Sequence, residues 1–319
     1  MVPCEAQADK QFLSLSVGDD NAVEIVKGIP TLEAGKSYTY HLTVGKNKVE
    51  VNGITVEDWT TGTTIANGEA TWIPYVSFTA AATQTFQMTT SGNYTISNLE
   101  YSLDGSKWNA VEVDKEVEFG GEKGCLFLRG KNPNGTANDY SNYSTINFTN
   151  ENVKVACTGD IRTLLDWEDY KNVETGNAHF IKLFYFNHAL TSAPALPATT
   201  LAGYCYYCMF FYCSSLKTAP SLPATTLASN CYFKMFDGCT KLTSITMLAP
   251  STAISDAMAS RFLLSNAGTD ASVTSRTLKV KDKAAYDALV SQELPDNWKI
   301  GNCTVLDEND NPITEDSNN

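Results

Sequence analysis

The stretch Leu190-Thr-Ser-Ala-Pro-Ala-Leu-Pro-Ala-Thr-Thr-Leu201 returns as Leu216-Lys-Thr-Ala-Pro-Ser-Leu-Pro-Ala-Thr-Thr-Leu227, a period of 26 residues (216 − 190). Leu242 continues the register, as do Phe184, Phe210 and Phe236, the pairs Cys205/Cys231 and Cys213/Cys239, and Met209/Met235. A short fixed period means one supersecondary unit copied along the chain, because a single unit cannot bury its apolar face without a neighbour to stack on. Within a unit, Cys205, Met209 and Cys213 stand four apart, as do Tyr206 and Phe210, which predicts a short helix with a buried stripe. Leu216 to Ala219 predicts a brief strand, stopped by Pro220 and Pro223. The expectation is a solenoid of strand–turn–helix units, an architecture used for binding far more than for catalysis.

The flanking sequence reads as β structure. Phe12 to Val17 and Ser37 to Val44 alternate apolar and polar residues, and a Gly-Lys-Asn-Lys turn leads into Val49-Glu-Val51. Further on, Tyr75-Val-Ser-Phe78, Gln84 to Met88, and Cys125 to Arg129 recur at the spacing of a sandwich. Leu99 to Trp108 reads as a hairpin turning at Asp104-Gly105. Residues 130–145 are polar and read as a long exposed loop. After the repeats decay beyond Met258, Thr277 to Val280 predicts a last strand and Lys283 to Val290 a capping helix closed by Trp298 and Val305, ahead of a frayed tail. The expected division is 1–70, 71–157 (an Ig-like β-sandwich), 158–275 (the repeats) and 276–319 (cap and tail).

The phrase Cys-x-x-Leu-x-x-Ala-Pro-x-Leu-Pro-Ala-Thr-Thr-Leu-Ala-x-x-Cys-Tyr-x-x-Met-Phe closely resembles the BspA-like leucine-rich repeats of bacterial cell-surface proteins, over roughly residues 158–301. Leu99 to Trp108 looks like the β-domain that precedes such repeats. Residues 32–60, from Leu-Glu-Ala-Gly-Lys-Ser-Tyr-Thr-Tyr to Ile-Thr-Val-Glu-Asp-Trp, resemble the C-terminal half of a fimbrillin-like domain, so a partial segment of that kind is expected. These resemblances imply a multidomain, mainly β protein ending in a short leucine-rich repeat α/β solenoid. They imply a cell-surface or extracellular setting and adhesion to host protein, matrix or neighbouring cells. The alternative they carry is a fimbrial accessory or tip subunit with other pilus subunits as partners.

The formal net charge of −13 opposes nucleic acid or anionic lipid as partners, since both need basic surfaces. The repeat region itself is nearly neutral, with seven basic and eight acidic residues, and is rich in aromatics. Protein or glycan contact suits such a surface better than electrostatic steering. No run approaches the roughly 20 apolar residues of a membrane span. Met1-Val-Pro-Cys carries neither the charged nor the apolar part of a secretory leader. Nine cysteines form an odd set, and those at the repeat period are expected to be small buried residues, with bridging between adjacent units as the other option.

Catalytic chemistry finds little support. His41, His179 and His188 are the three histidines, and none has a Ser, Cys or carboxylate nearby in a triad pattern. Cys205-Tyr-Tyr-Cys208 spells CxxC, but the next unit has Lys234 in place of Cys208, so packing explains it better than redox or zinc chemistry. Gly35-Lys36-Ser37 imitates a phosphate loop without its upstream glycine or its helix. No cofactor is expected. Asp307, Asn309 and Asp310 form a calcium-like acidic turn, for which an ordinary turn is the plainer reading. Candidate ligand contacts are the outward strand residues Thr191, Ser192, Lys217, Thr218, Thr243 and Ser244, with Tyr207 and Tyr212 on the other side of the unit.

Overall fold

The computed structural model describes residues 74–256 and 259–315, together with the backbone of six strands within 1–73. The chain forms two compact units, Met1–Pro74 and Tyr75–Asn319. In the first, strands Leu13–Ser16 (β1), Val23–Lys27 (β2), Lys36–Gly45 (β3), Lys48–Asp58 (β4), Thr61–Ile65 (β5) and Glu69–Ile73 (β6) make two antiparallel sheets, ordered β1-β2-β6 and β3-β4-β5. The alternating Ser37–Val44 segment lies in β3, and a bulge breaks its ladder with β4 between His41 and Leu42. The side chains behind the fimbrillin-like resemblance, and Cys4, lie outside the described residues.

The second unit opens with strands Val76–Ala80 (β7), Gln84–Ser91 (β8), Leu99–Ser102 (β9), Asn109–Ala110 (β10), Val117–Phe119 (β11), Leu126–Gly130 (β12), Tyr143–Phe148 (β13) and Val155–Thr158 (β14). They form two antiparallel sheets, β10-β9-β12-β7-β14 and β11-β8-β13. Alternate residues of both sheets share one core: Phe78 of β7 meets Phe86 of β8 at 6.3 Å and Phe148 of β13 at 5.2 Å. The hairpin at Asp104-Gly105 forms as its sequence dictates. Asp104 Oδ1 accepts from the amides of Ser106 and Lys107, each at 2.8 Å, and Gly105 takes φ 72°. Arg129 is sandwiched between the rings of Trp108 and Trp167, 3.8 and 4.1 Å from their centroids, and bonds Glu100 at 2.9 Å.

The repeats require a correction. The α/β leucine-rich repeat solenoid expected from the sequence is not what the chain builds. Among the described residues there are two α-helices, Ser251–Asp256 (α1) and Lys283–Ser291 (α2), both beyond the repeated phrase, and the sheets are separate. Where a helix was expected around Cys205–Cys213, the backbone runs through successive turns with a left-handed residue at every fourth position. Ala178, Lys182 and Phe186 have φ of 64°, 54° and 57°; Tyr204, Cys208 and Tyr212 have 58°, 51° and 58°; Asn230, Lys234 and Gly238 have 55°, 51° and 76°. A four-residue turn period and a helix of 3.6 residues per turn place the same side chains inward over so short a span. The spacing of Cys205, Met209 and Cys213 therefore could not tell them apart.

Backbone hydrogen bonds alternate in direction through these turns. Met209 N donates to Tyr206 O at 3.1 Å and Cys213 N to Phe210 O at 3.1 Å within a unit. The intervening amides reach the next unit: Phe184 N to Met209 O at 2.9 Å, Phe210 N to Met235 O at 3.0 Å. Few amides are left over, which is what buried backbone demands. The side-chain columns follow. Phe184, Phe210 and Phe236 are buried and stack at 5.3 and 5.5 Å with interplanar angles of 9° and 1°. Leu190, Leu216 and Leu242 are buried beside them. Cys213 Sγ donates to Phe184 O at 3.0 Å and Cys239 Sγ to Phe210 O at 3.1 Å, so the repeated cysteine ties one unit to the last as a thiol. Cys157, Cys205, Cys208, Cys213, Cys231, Cys239 and Cys303 are free thiols.

Beyond the repeats, Ser244–Met247 (β15), Thr277–Val280 (β16) and Thr304–Leu306 (β17) form a parallel sheet. Asp282 caps α2 by accepting from Ala285 N at 2.8 Å, and buried Trp298 donates Nε1–H to Ala267 O at 3.0 Å. One large hydrophobic cluster runs from Val76 to Ile313 through segments 71–157, 158–275 and 276–319, and Ala137, Ala178 and Ile181 form a small second one. Residues 130–145, read as an exposed loop, are partly buried instead: Asn132, Thr136 and Ala137 pack inward, and Tyr94 Oη donates to Gly135 O at 2.8 Å. The residues of the proposed tail beyond Glu315 lie outside the described residues.

Candidate functional site

The first candidate surface is the short-strand side. Thr191 Oγ1 donates to Val155 O and Thr243 Oγ1 to Lys217 O, both at 2.9 Å. Ser192 Oγ accepts from Cys157 N and donates to Cys157 O, again at 2.9 Å. These hydroxyls, half-buried, are spent on the backbone of the preceding element. Lys217 and Thr218 are exposed, and Thr218 bridges in parallel to Ser244, the first residue of β15. The row is thus more a seam between units than an open polar face.

The opposite side carries Tyr207 and Tyr212, and there the structure brings together far more than the sequence reading named. Outer rings stack at the repeat period: Tyr185 on Phe211 at 5.1 Å, Phe186 on Tyr212 at 5.0 Å, and Tyr207 on Phe233 at 5.1 Å, with interplanar angles of 10°, 15° and 7°. Cations accompany them. Lys182 Nζ lies 5.2 Å from the Tyr185 ring, Lys234 Nζ 5.9 Å from Phe233, and Arg261 Cζ 4.7 Å from Phe262. Phe186, Tyr204 and Tyr212 remain 45%, 40% and 39% exposed. Burial beside neighbouring Cys208 pushes the Tyr207 hydroxyl up to about 12, so it is a neutral donor at physiological pH. Phe186, Phe211 and Phe233 were missed because one apolar letter among many gives no sign of its direction. The signal available was the period itself, since 185, 211 and 207, 233 differ by 26.

A third feature joins His188 to Ser214, one period apart, with Nδ1 and Oγ at 2.9 Å. They line an open depression of about 400 Å³ whose nine lining residues, Glu151 and Asn152 through Asp270, are all polar. A Ser–His pair needs an acceptor to orient the imidazole before it resembles a nucleophile and base. Among the described residues no carboxylate bonds the other ring nitrogen. His179 is a packing residue: it is buried, its Nδ1 accepts from Gly176 N at 2.9 Å, and burial pulls it down to about 4.

The acidic turn is locally satisfied. Asp307 Oδ1 accepts from the amides of Asn309 and Asn311, each at 2.8 Å, and those bonds with the Asn311 side chain hold its carboxyl low. Asp310 pairs with Lys279 at 2.7 Å. Cys205 and Cys208 are both buried, and burial pushes the Cys208 thiol up to about 12, far from a reactive thiolate. Among the described residues no three His, Cys, Asp or Glu side chains gather as a metal site, and no helix is long and apolar enough to cross a membrane. Compared with known proteins, the chain matches no family model, no curated protein and no solved structure.

Proposed function

We propose that this protein is a non-catalytic binding protein, adhering to a host protein, matrix or neighbouring cell through the outer aromatic side of its repeated turns. The observation that supports this reading most is the set of stacked outer rings flanked by Lys182, Lys234 and Arg261. Aromatic and cationic side chains dominate binding energies at protein interfaces. Rings already held by their neighbours lose little freedom on docking, which leaves more of the contact energy as affinity. The proposed setting, at the cell surface or outside the cell, rests on the resemblance of the repeated phrase.

The test is adhesion of the full chain to immobilised matrix proteins and to whole cells, compared across two variants. Tyr207→Ala with Tyr212→Ala is expected to weaken adhesion at least about thirtyfold, as loss of roughly 2 kcal/mol at contact residues would. Lys217→Glu with Thr218→Trp is expected to leave it unchanged. The reverse pattern would move the contact to the short-strand side, and loss in neither would discard the repeats as the binding surface.

A further inference from the structure

The depression holding His188 and Ser214 is lined by no residue of either surface above and adjoins the outer rings at Phe186, and its composition restricts what it can hold. Every residue lining it is polar, so it cannot repay the desolvation of an apolar ligand. Its charges oppose in pairs, Glu151 and Asp270 against Lys154 and Lys241, so a phosphate and a divalent cation each meet as much repulsion as attraction. Lys154 is held in place by the carbonyls of Glu151 and His188, at 2.8 and 3.1 Å. Among the described residues, the Glu151 carboxylate, Lys241 Nζ and His188 Nε2 have no hydrogen-bond partner. The depression therefore offers free acceptors and free donors side by side, a set that suits a ligand whose groups are each both donor and acceptor. Hydroxyls are such groups.

The rim adds the other half of the chemistry. The Phe186 ring stands 6.0 Å from the His188 ring at 82°. Tyr212 stacks on Phe186 at 5.0 Å, and the Tyr185 and Phe211 rings meet it edgewise at 4.6 and 5.6 Å, yet Phe186 remains 45% exposed. A partly exposed aromatic ring beside a polar hollow complements a pyranose, which has C–H bonds on one face and hydroxyls around its edge. A volume of about 400 Å³ falls within the range of small-ligand sites. We infer that this hollow binds a neutral saccharide, with Phe186 as the stacking platform and Glu151, Lys241, Asp270 and His188 as hydroxyl partners. The inference rests on the reading of the chain as a binding protein and assigns it a second, glycan-directed site.

The experiment presents the full chain to an array of neutral oligosaccharides terminating in galactose, mannose or N-acetylglucosamine, beside sialylated and sulfated ones. Ligand-observed NMR titration of any neutral probe retained follows. Neutral probes are expected to bind. Glu151→Gln, Asp270→Asn and Phe186→Leu should each weaken binding about tenfold or more with melting unchanged, the size expected for one charge-assisted bond or one lost stacking face. Phe186→Leu keeps apolar bulk without the flat ring, so it separates stacking from packing. Binding confined to acidic glycans, equal binding by all three variants, or no neutral probe bound at millimolar concentration would each overturn the inference. Adhesion that is lost in Tyr207→Ala while no saccharide binds would defeat the hollow alone; absence of both would defeat the binding reading itself.

Discussion

A non-glycine residue at positive φ is disfavoured by roughly 1–2 kcal/mol, because its Cβ crowds the following carbonyl. The repeated turns nevertheless place Tyr204, Cys208, Tyr212 and Lys234 there. Bulky residues in that region are the least expected, which is why the turn was not legible at those letters, and Asn230, Asn266 and Gly238 were the faint signal. The burial columns, by contrast, were legible because identity at a fixed period needs no backbone geometry to be read. Gly238 marks where the outer ladder of Phe186 and Tyr212 ends. A Cβ there would stand 2.6 Å from Tyr212 Cδ2 and 2.7 Å from its Cγ. Gly238→Ala is therefore expected to cost about 2–3 kcal/mol in chemical denaturation, through strain plus the clash. In a Tyr212→Ala background the ring is gone, and the cost of the same change should fall to about 1 kcal/mol. Equal costs in the two backgrounds would mean that the ring does not lie over the glycine.

At the scale of elements, the segment from Gly130 to Tyr143 shows what sequence cannot disclose. Its Asn, Gly and Ser content reads as solvated loop, yet its backbone is bound to the repeats: Thr136 N and Oγ1 both donate to His179 O, at 2.6 and 3.0 Å. A polar segment packs inward when its polar atoms find such partners, and the partners here are more than 40 residues away in sequence. His179 is the hinge of that contact, 8% exposed and lowered by burial from an ordinary 6.5 to about 4, against the pull of a bond to the Pro133 backbone. The unfolded chain takes up the proton below pH 6.5, whereas the folded chain resists until about pH 4. Stability from this residue is thus complete above the first value and is lost as pH falls through the window between them, by up to roughly 3 kcal/mol. Unfolding free energies measured from pH 7 to 4 should show this decline, and His179→Gln should flatten it. An equal slope in the variant would assign the decline to carboxylates instead.

For the whole molecule, the two β segments and the closing strand and helix were legible because alternation and capping are local signals. The solenoid was not, because its expected unit borrowed a helix from a spacing that turns also satisfy. How the chain divides is a question of contacts, and the boundary at Pro74 follows β6, whose residues Glu69 to Ile73 pair with β2 rather than with the strands that come after. The second unit carries one continuous core from Val76 to Ile313, which includes the Phe184, Phe210 and Phe236 column and Trp298. Continuity of that kind makes a unit cooperative, since no part of it can lose its packing without exposing its neighbour. Residues 75–319 expressed alone are therefore expected to melt in a single transition within a few degrees of the main transition of the full chain. Removing residues from Ser244 onward should have the opposite effect, because the carbonyls of Ala259, Arg261 and Leu263 accept from Tyr232, Lys234 and Phe236 of the last repeat, whose buried rings would then face water. Calorimetry on the two truncations checks both outcomes. A 75–319 chain that fails to fold would show that the first unit supplies part of the second one's stability.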